Sequence, residues 1–203
     1  MAHIHPLERS ELAEFDVVFE LTEAAMGFVP RSMFTMGRNP ALLQAFAQLA
    51  GTVLGPGRVD GGLKQLVGHV ASTAAGCRYC QAHTASSATR NGVDAEKVAD
   101  VWPFETSDQF DEAERAALRL AADAASVPNA TTSAHFDDLA RHFDEDQIIE
   151  IVAVISLFGW LNRWNDTMAT DLEDEPLAFG ADHLAATGWE PGKHAGGESE
   201  SRS

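Results

Sequence analysis

Leu63-Lys-Gln-Leu-Val-Gly-His-Val-Ala-Ser-Thr-Ala-Ala-Gly-Cys-Arg-Tyr-Cys-Gln-Ala-His83 holds a helix, a break and the first turns of a second helix. Leu63 to Ala75 has helical spacing, with Leu63, Leu66, Val67, Val70 and Ala74 on a core-facing side and Gln65, His69 and Ser72 along a polar line. Gly76 interrupts it, and Cys77 to Arg90 reads as a second helix that stops at Asn91-Gly92. Both cysteines of the chain lie here, two residues apart, with His83 one turn further on. Residues at i, i+3 and i+6 share neighbouring parts of a helix face, so Cys77, Cys80 and His83 can converge. Unpaired N–H groups and the positive end of the helix dipole in a first turn favour a thiolate. The spacing therefore predicts a dithiol redox centre.

Outward from this pair the chain reads as helix almost throughout. Glu11–Met26 is amphipathic and ends at Gly27 and Pro30. Asn39-Pro40 is a cap followed by a first-position proline, opening a helix to about Leu54, and Gly55-Pro56-Gly57 is a turn. Asp94 caps a short helix to Val101. Ser107 or Asp108 opens another to about Ser126, and Thr132 or Ser133 one to about His142. Asp144 with Gln147 forms a capping box for a long apolar helix from Asp146 to about Met168. That helix ends in the polar group Asn162-Arg163-Trp164-Asn165, which joins a subunit contact or lines the redox pocket. Residues 188–203, rich in glycine, serine and charge, are expected to form a flexible tail.

Composition narrows the class. With 203 residues the chain is expected to fold as a single domain with a core over about residues 28–168. Abundant alanine and scarce strand-like alternation favour an all-α fold. A formal charge of −17 argues against nucleic acid or an anionic membrane as a partner. The apolar run Ile148–Leu161 is too short to span a bilayer. No basic segment precedes an apolar run at the start, so a cytoplasmic location is expected. No dinucleotide or haem-attachment signature is present, and no cofactor is expected.

The Leu63–His83 stretch, with its small-residue run before Gly76, its Cys-x-Tyr-Cys and its nearby histidine, resembles the AhpD-like (carboxymuconolactone decarboxylase-like) superfamily. The resemblance implies an all-α helical bundle that forms intertwined homo-oligomers, and alkylhydroperoxidase-type activity against organic hydroperoxides. It departs from that pattern in two places. The dithiol members carry a glutamate twelve residues before the first cysteine, where this chain has Gln65, and their histidine follows the second cysteine with three residues between rather than two. His69, one turn from Gln65, is the expected relay, and Glu114 is a further candidate base.

The expected cycle starts with Cys80 attacking a hydroperoxide, with His83 as its base. The resulting sulfenic acid condenses with Cys77 to a disulfide, which an external dithiol reductant reopens. The assignment of Cys80 as attacker follows family analogy as much as geometry. Other readings stay open. Cys77, Cys80, His83 and His69 also make a zinc ligand set. The cysteines can equally be inert core residues. The chain can also be a decarboxylase-like member with little peroxidase activity, or a non-enzymatic helical assembly.

Overall fold

The computed structural model describes residues 2–196, and among them every regular element is helical. A 3-10 helix at Arg9–Phe15 leads into α1 (Asp16–Met26), followed by α2 (Arg31–Met36), α3 (Pro40–Leu54), α4 (Gly61–Ala75) and α5 (Arg78–Arg90). Then come α6 (Ala95–Ala99), α7 (Glu112–Ala125), α8 (Ser133–Leu139), α9 (Glu145–Met168) and α10 (Asp174–Phe179). The chain closes with short 3-10 and π turns over residues 180–194.

The ends of these helices follow local chemistry. The Asn39 side chain accepts from the Leu42 amide and Pro40 takes the first turn of α3, where no N–H is needed. Asp60 caps α4 by accepting from the Gly62 and Leu63 amides. Asp144 and Gln147 form a reciprocal capping box on α9, as do Asp111 and Glu114 on α7. Gly76 ends α4 at φ +76°, a left-handed conformation that a side chain would strain.

Two hydrophobic cores result. The larger packs α4, α5, α7 and α9 together through Leu66, Val70, Ala82, Ala85, Leu118, Leu120, Ile151 and Val154. A Cβ at Gly68 would stand 2.4 Å from the Phe158 ring, so glycine is what lets α4 and α9 approach there. The smaller core gathers Leu12, Phe15, Phe19, Val29, Met33, Met36 and Leu43 at the N-terminal end. Phe46 and Leu161 pack against both, which ties the two into one body.

Several expectations are corrected. The helix expected from Ser107 or Asp108 starts at Glu112, because the capping box sits at Asp111 and Glu114. Glu114 is bound up in that box and in an ion pair with Lys97 at 2.7 Å, away from the thiols. α2 and α10 are short helices that periodicity does not reveal. Of the expected flexible tail, residues 188–196 are anchored at two points: Trp189 covers Gly180 and donates from Nε1 to the Arg78 carbonyl, and His194 is fully buried. Apolar and ring burial anchors this segment despite its polar composition. The remainder of that expectation, residues 197–203, lies outside the described residues.

Candidate functional site

The break at Gly76 turns Cys77 into the N-cap of α5. Its sulfur accepts from the Cys80 amide at 3.4 Å, so the helix N-terminus serves Cys77 rather than Cys80. Both thiols are free and buried. Burial, and next the neighbouring Cys77, push the Cys80 thiol well above its ordinary range, while a contact from Asn165 Nδ2 at 3.6 Å works in the opposite direction. The thiolate favoured by helix position alone is therefore opposed at Cys80 by desolvation.

Cys80 lies in the wall of a cavity of about 610 Å³ between the two cores, and Cys77 does not. Its walls are mainly apolar, with Val18 and Leu21 from α1, Met33 from α2, Phe46 from α3, and Phe158 and Leu161 from α9. Among the described residues that line it, none is Asp, Glu, Lys or Arg. This volume falls in the range of small-molecule sites.

His83, three residues after Cys80 on α5, lines the same cavity. Its ring is clamped by Tyr79, stacked at 4.1 Å between centroids, and by the edge of Phe28 at 5.3 Å. Behind it stands Glu173, from the segment between α9 and α10. Glu173 Oε2 accepts from His83 Nε2 at 2.6 Å; Oε1 accepts from the Tyr79 hydroxyl at 3.0 Å and from the Arg31 amide at 2.5 Å. Burial alone would push this carboxyl up, but His83 beside it, with the Arg31 amide, outweighs that and holds it below its ordinary range. Burial and the adjacent Glu173 push the Tyr79 hydroxyl well up, so it stays protonated as a donor. Glu173 escapes a reading of the sequence: its only signal is an acidic run, Glu173-Asp174-Glu175, ahead of Pro176, which marks a helix start and names no partner.

The remaining candidates are placed as follows. Gln65 lines the cavity. His69 does not; its Nδ1 lies 3.0 Å from both the Gln81 carbonyl and Thr84 Oγ1, a strut between α4 and α5. Burial lowers its pKa to about 4 against that hydrogen bond, so it is neutral near pH 7. Of the polar group on α9, Asn165 reaches the cavity beside Cys80. Among the described residues no three His, Cys, Asp or Glu side chains are arranged to hold a metal ion, and His83 Nε2 is committed to Glu173.

The model of the carboxymuconolactone decarboxylase family matches residues 40–123, from α3 to α7, and ends well before Glu173. The apo crystal structure of the debrominase Bmp8 superposes with a TM-score of 0.82 at 40% identity, covering 88% of this chain and 96% of that one. A cysteine-to-alanine variant of Bmp8 in complex with 2,3,4-tribromopyrrole gives 0.84 at 38% identity, covering 90% and 97%. A peroxidase-related protein from Silicibacter sp. TM1040 shares the fold, with a TM-score of 0.72 at 20% identity over 80% of this chain and 86% of that one. No curated protein matches.

Proposed function

The chain belongs to the carboxymuconolactone decarboxylase-like (AhpD-like) superfamily, and within it we propose a dithiol reductase that removes halogen from small, uncharged haloaromatic compounds such as bromopyrroles. The observation that carries this reading is the position of Cys80 in an apolar cavity without charged walls, backed by Cys77 and flanked by His83. Its likeness to the debrominase Bmp8 supports this substrate class.

The balance of the reaction fits two thiols. Replacing C–Br by C–H takes two electrons and one proton and releases bromide. Cys80, after giving its proton to His83, takes the bromine, while the ring carbon keeps the bonding pair and takes a proton from His83. Cys77 then attacks the Cys80 sulfur, expels bromide, loses its own proton and closes the disulfide. An external dithiol restores both thiols. Of the two sulfurs only Cys80 lines the cavity, so that reductant attacks the disulfide there. In this scheme His69 serves as a strut rather than a relay.

A second reading keeps the same thiols and the same base for an organic hydroperoxide, which the superfamily supports. There the O–O bond breaks, the alcohol leaves, and the Cys80 sulfenic acid loses water to Cys77. Self-association of this chain belongs to either reading; Ile149 and Trp160 of α9 are exposed.

The test uses reduced protein without added reductant, mixed in parallel with a panel of bromopyrroles and with cumene hydroperoxide. The expected result is one bromide per chain, loss of both thiols and a mass decrease of two hydrogens; Cys80→Ser releases none. Rapid consumption of one equivalent of the hydroperoxide, with loss of both thiols and inert bromopyrroles, would replace the first reading by the second. Inert thiols with both reagents would overturn both.

A further inference from the structure

Position 65, where related dithiol proteins carry a glutamate, holds glutamine here, and an amide cannot accept a proton from a thiol or hold charge beside a histidine. The fold brings one carboxylate to the far side of His83 from a segment ninety residues on, beyond the part matched by the family model. Glu173 is 8% exposed and accepts from three donors on two elements: His83 and Tyr79 of α5, and the backbone amide that opens α2. The Arg31 guanidinium binds the neighbouring Leu172 carbonyl at 2.9 Å, and the Leu172 amide donates to the His194 carbonyl at 2.9 Å, so the backbone on either side of Arg31 and Leu172 is tied as well.

An ionised carboxylate only accepts hydrogen bonds. The 2.6 Å contact therefore requires the proton on His83 Nε2 and leaves Nδ1 as the nitrogen that exchanges protons with the contents of the cavity. We propose that Glu173 is the positioning residue of this site: it fixes His83 with Nε2–H held and Nδ1 free to act, and its charge stabilises the imidazolium formed when His83 takes the Cys80 proton. The C-terminal segment thus supplies the carboxylate that position 65 lacks. This rests on the reading above in one respect, that Cys80 gives its proton to His83; it does not depend on which substrate follows.

The pair is isolated enough to be read. Tyr79 stacks on His83 from the same helix, Cys80 lies one turn away, and Arg31 stands on α2. His194 lies behind Tyr79 at 5.9 Å, with Asp166 3.6 Å from His194 Nε2. Asp174 is exposed, and Glu175, two residues after Glu173, is taken up by Arg90 and Ser86 of α5. Of these carboxylates only Glu173 hydrogen-bonds the imidazole.

The experiment follows alkylation of Cys80 by iodoacetamide, a small neutral reagent, from pH 6 to 10, with the site identified by mass spectrometry. It needs no turnover. In Glu173→Gln the rate near pH 7 is expected to fall by about 10- to 100-fold and the profile to move to higher pH. Glu173→Asp should recover part of the loss. An unshifted profile in a folded Glu173→Gln would overturn the proposal. If that variant does not fold, nitrogen NMR of His83 in the unmodified protein decides: a proton on Nε2 supports the assignment, and a proton on Nδ1 with bare Nε2 overturns it. A shifted alkylation profile together with inert bromopyrroles and hydroperoxide would keep Glu173 in this role and discard the substrate readings.

Discussion

Helix α5 and the segment from Thr170 to His194 meet at the same site by opposite routes. In α5 the sulfurs are placed by rules that act over a few residues: a left-handed glycine, an N-cap, and the 100° step that carries Cys80 to the cavity and His83 after it. In the C-terminal segment nothing local explains why Glu173 faces His83. Its placement comes from Trp189 over Gly180, the Trp189 bond to the Arg78 carbonyl, and the Leu172 bond to the His194 carbonyl. The contrast separates two jobs. A short motif positions the reacting atoms, and a distant segment sets the charge beside them.

Trp189→Ala breaks that division most strongly. Removing a buried tryptophan costs about 3–5 kcal/mol, which for a chain of this size lowers Tm by roughly 6–20 °C. The ring is 5% exposed, so little of this loss can be recovered by solvation. If the segment's task is to hold Glu173, the Cys80 alkylation profile of Trp189→Ala should move in the same direction as that of Glu173→Gln. Scanning calorimetry beside the alkylation assay checks both. A lower Tm with an unchanged profile would reduce the segment to packing alone.

The sequence is readable where local rules act and opaque where they do not. α3, α4 and α9 begin or end at caps that stand in the sequence as Asn39-Pro40, Gly76 and Asp144 with Gln147. Cys77, Cys80 and His83 come together because one helix carries all three. The polar line Gln65, His69 and Ser72 looks like an exposed or catalytic face only if α4 has a solvent side. Only its C-terminal end at Ala75 is exposed: α5, α7 and α9 pack around it, and Lys64, Gln65, His69 and Ser72 are buried, Gln65 in the cavity wall. Lys64 is accommodated by the Val53 and Gly55 carbonyls and by Glu150. Trp189 remained unread because composition suggested a solvated tail over residues 188–203, and Glu173 because an acidic run before Pro176 marks a helix start without naming a partner.

His69 sharpens the comparison from the core side. Its folded pKa, about 4, lies below its ordinary value of 6.5 because burial disfavours the charged ring. Between these values the unfolded chain binds the extra proton, so stability from this group is full above pH 6.5 and lost as the pH falls toward 4. The limit is roughly 3 kcal/mol, at 1.36 kcal/mol per pKa unit. Urea melts at pH 7 and pH 5 should show His69→Gln less acid-sensitive than the unmodified protein. Glu173, whose carboxyl is held down, loses its contribution only at lower pH, as it protonates. Equal acid sensitivity in the two proteins would mean that His69 is hydrated rather than dry.

The smallest effect is expected where the sequence is easiest to read. Asp144 caps α9 by accepting from the Gln147 amide at 3.0 Å, and Gln147 returns the bond to the Asp144 amide. Replacing it with alanine should cost about 1 kcal/mol, with part of any further loss coming from its exposed pair with Arg58. Such surface pairs contribute little. A urea melt of Asp144→Ala should therefore shift far less than one of Trp189→Ala, with Cys80 alkylation unchanged, since the cap lies at the opposite end of α9 from Asn165. A cap that proved as costly as the tryptophan would mean that α9 depends on its first turn for the packing of the whole core. The expected order says otherwise: caps mark where helices start, and the buried rings and carboxylate of the C-terminal segment carry the greater share of the site's energy.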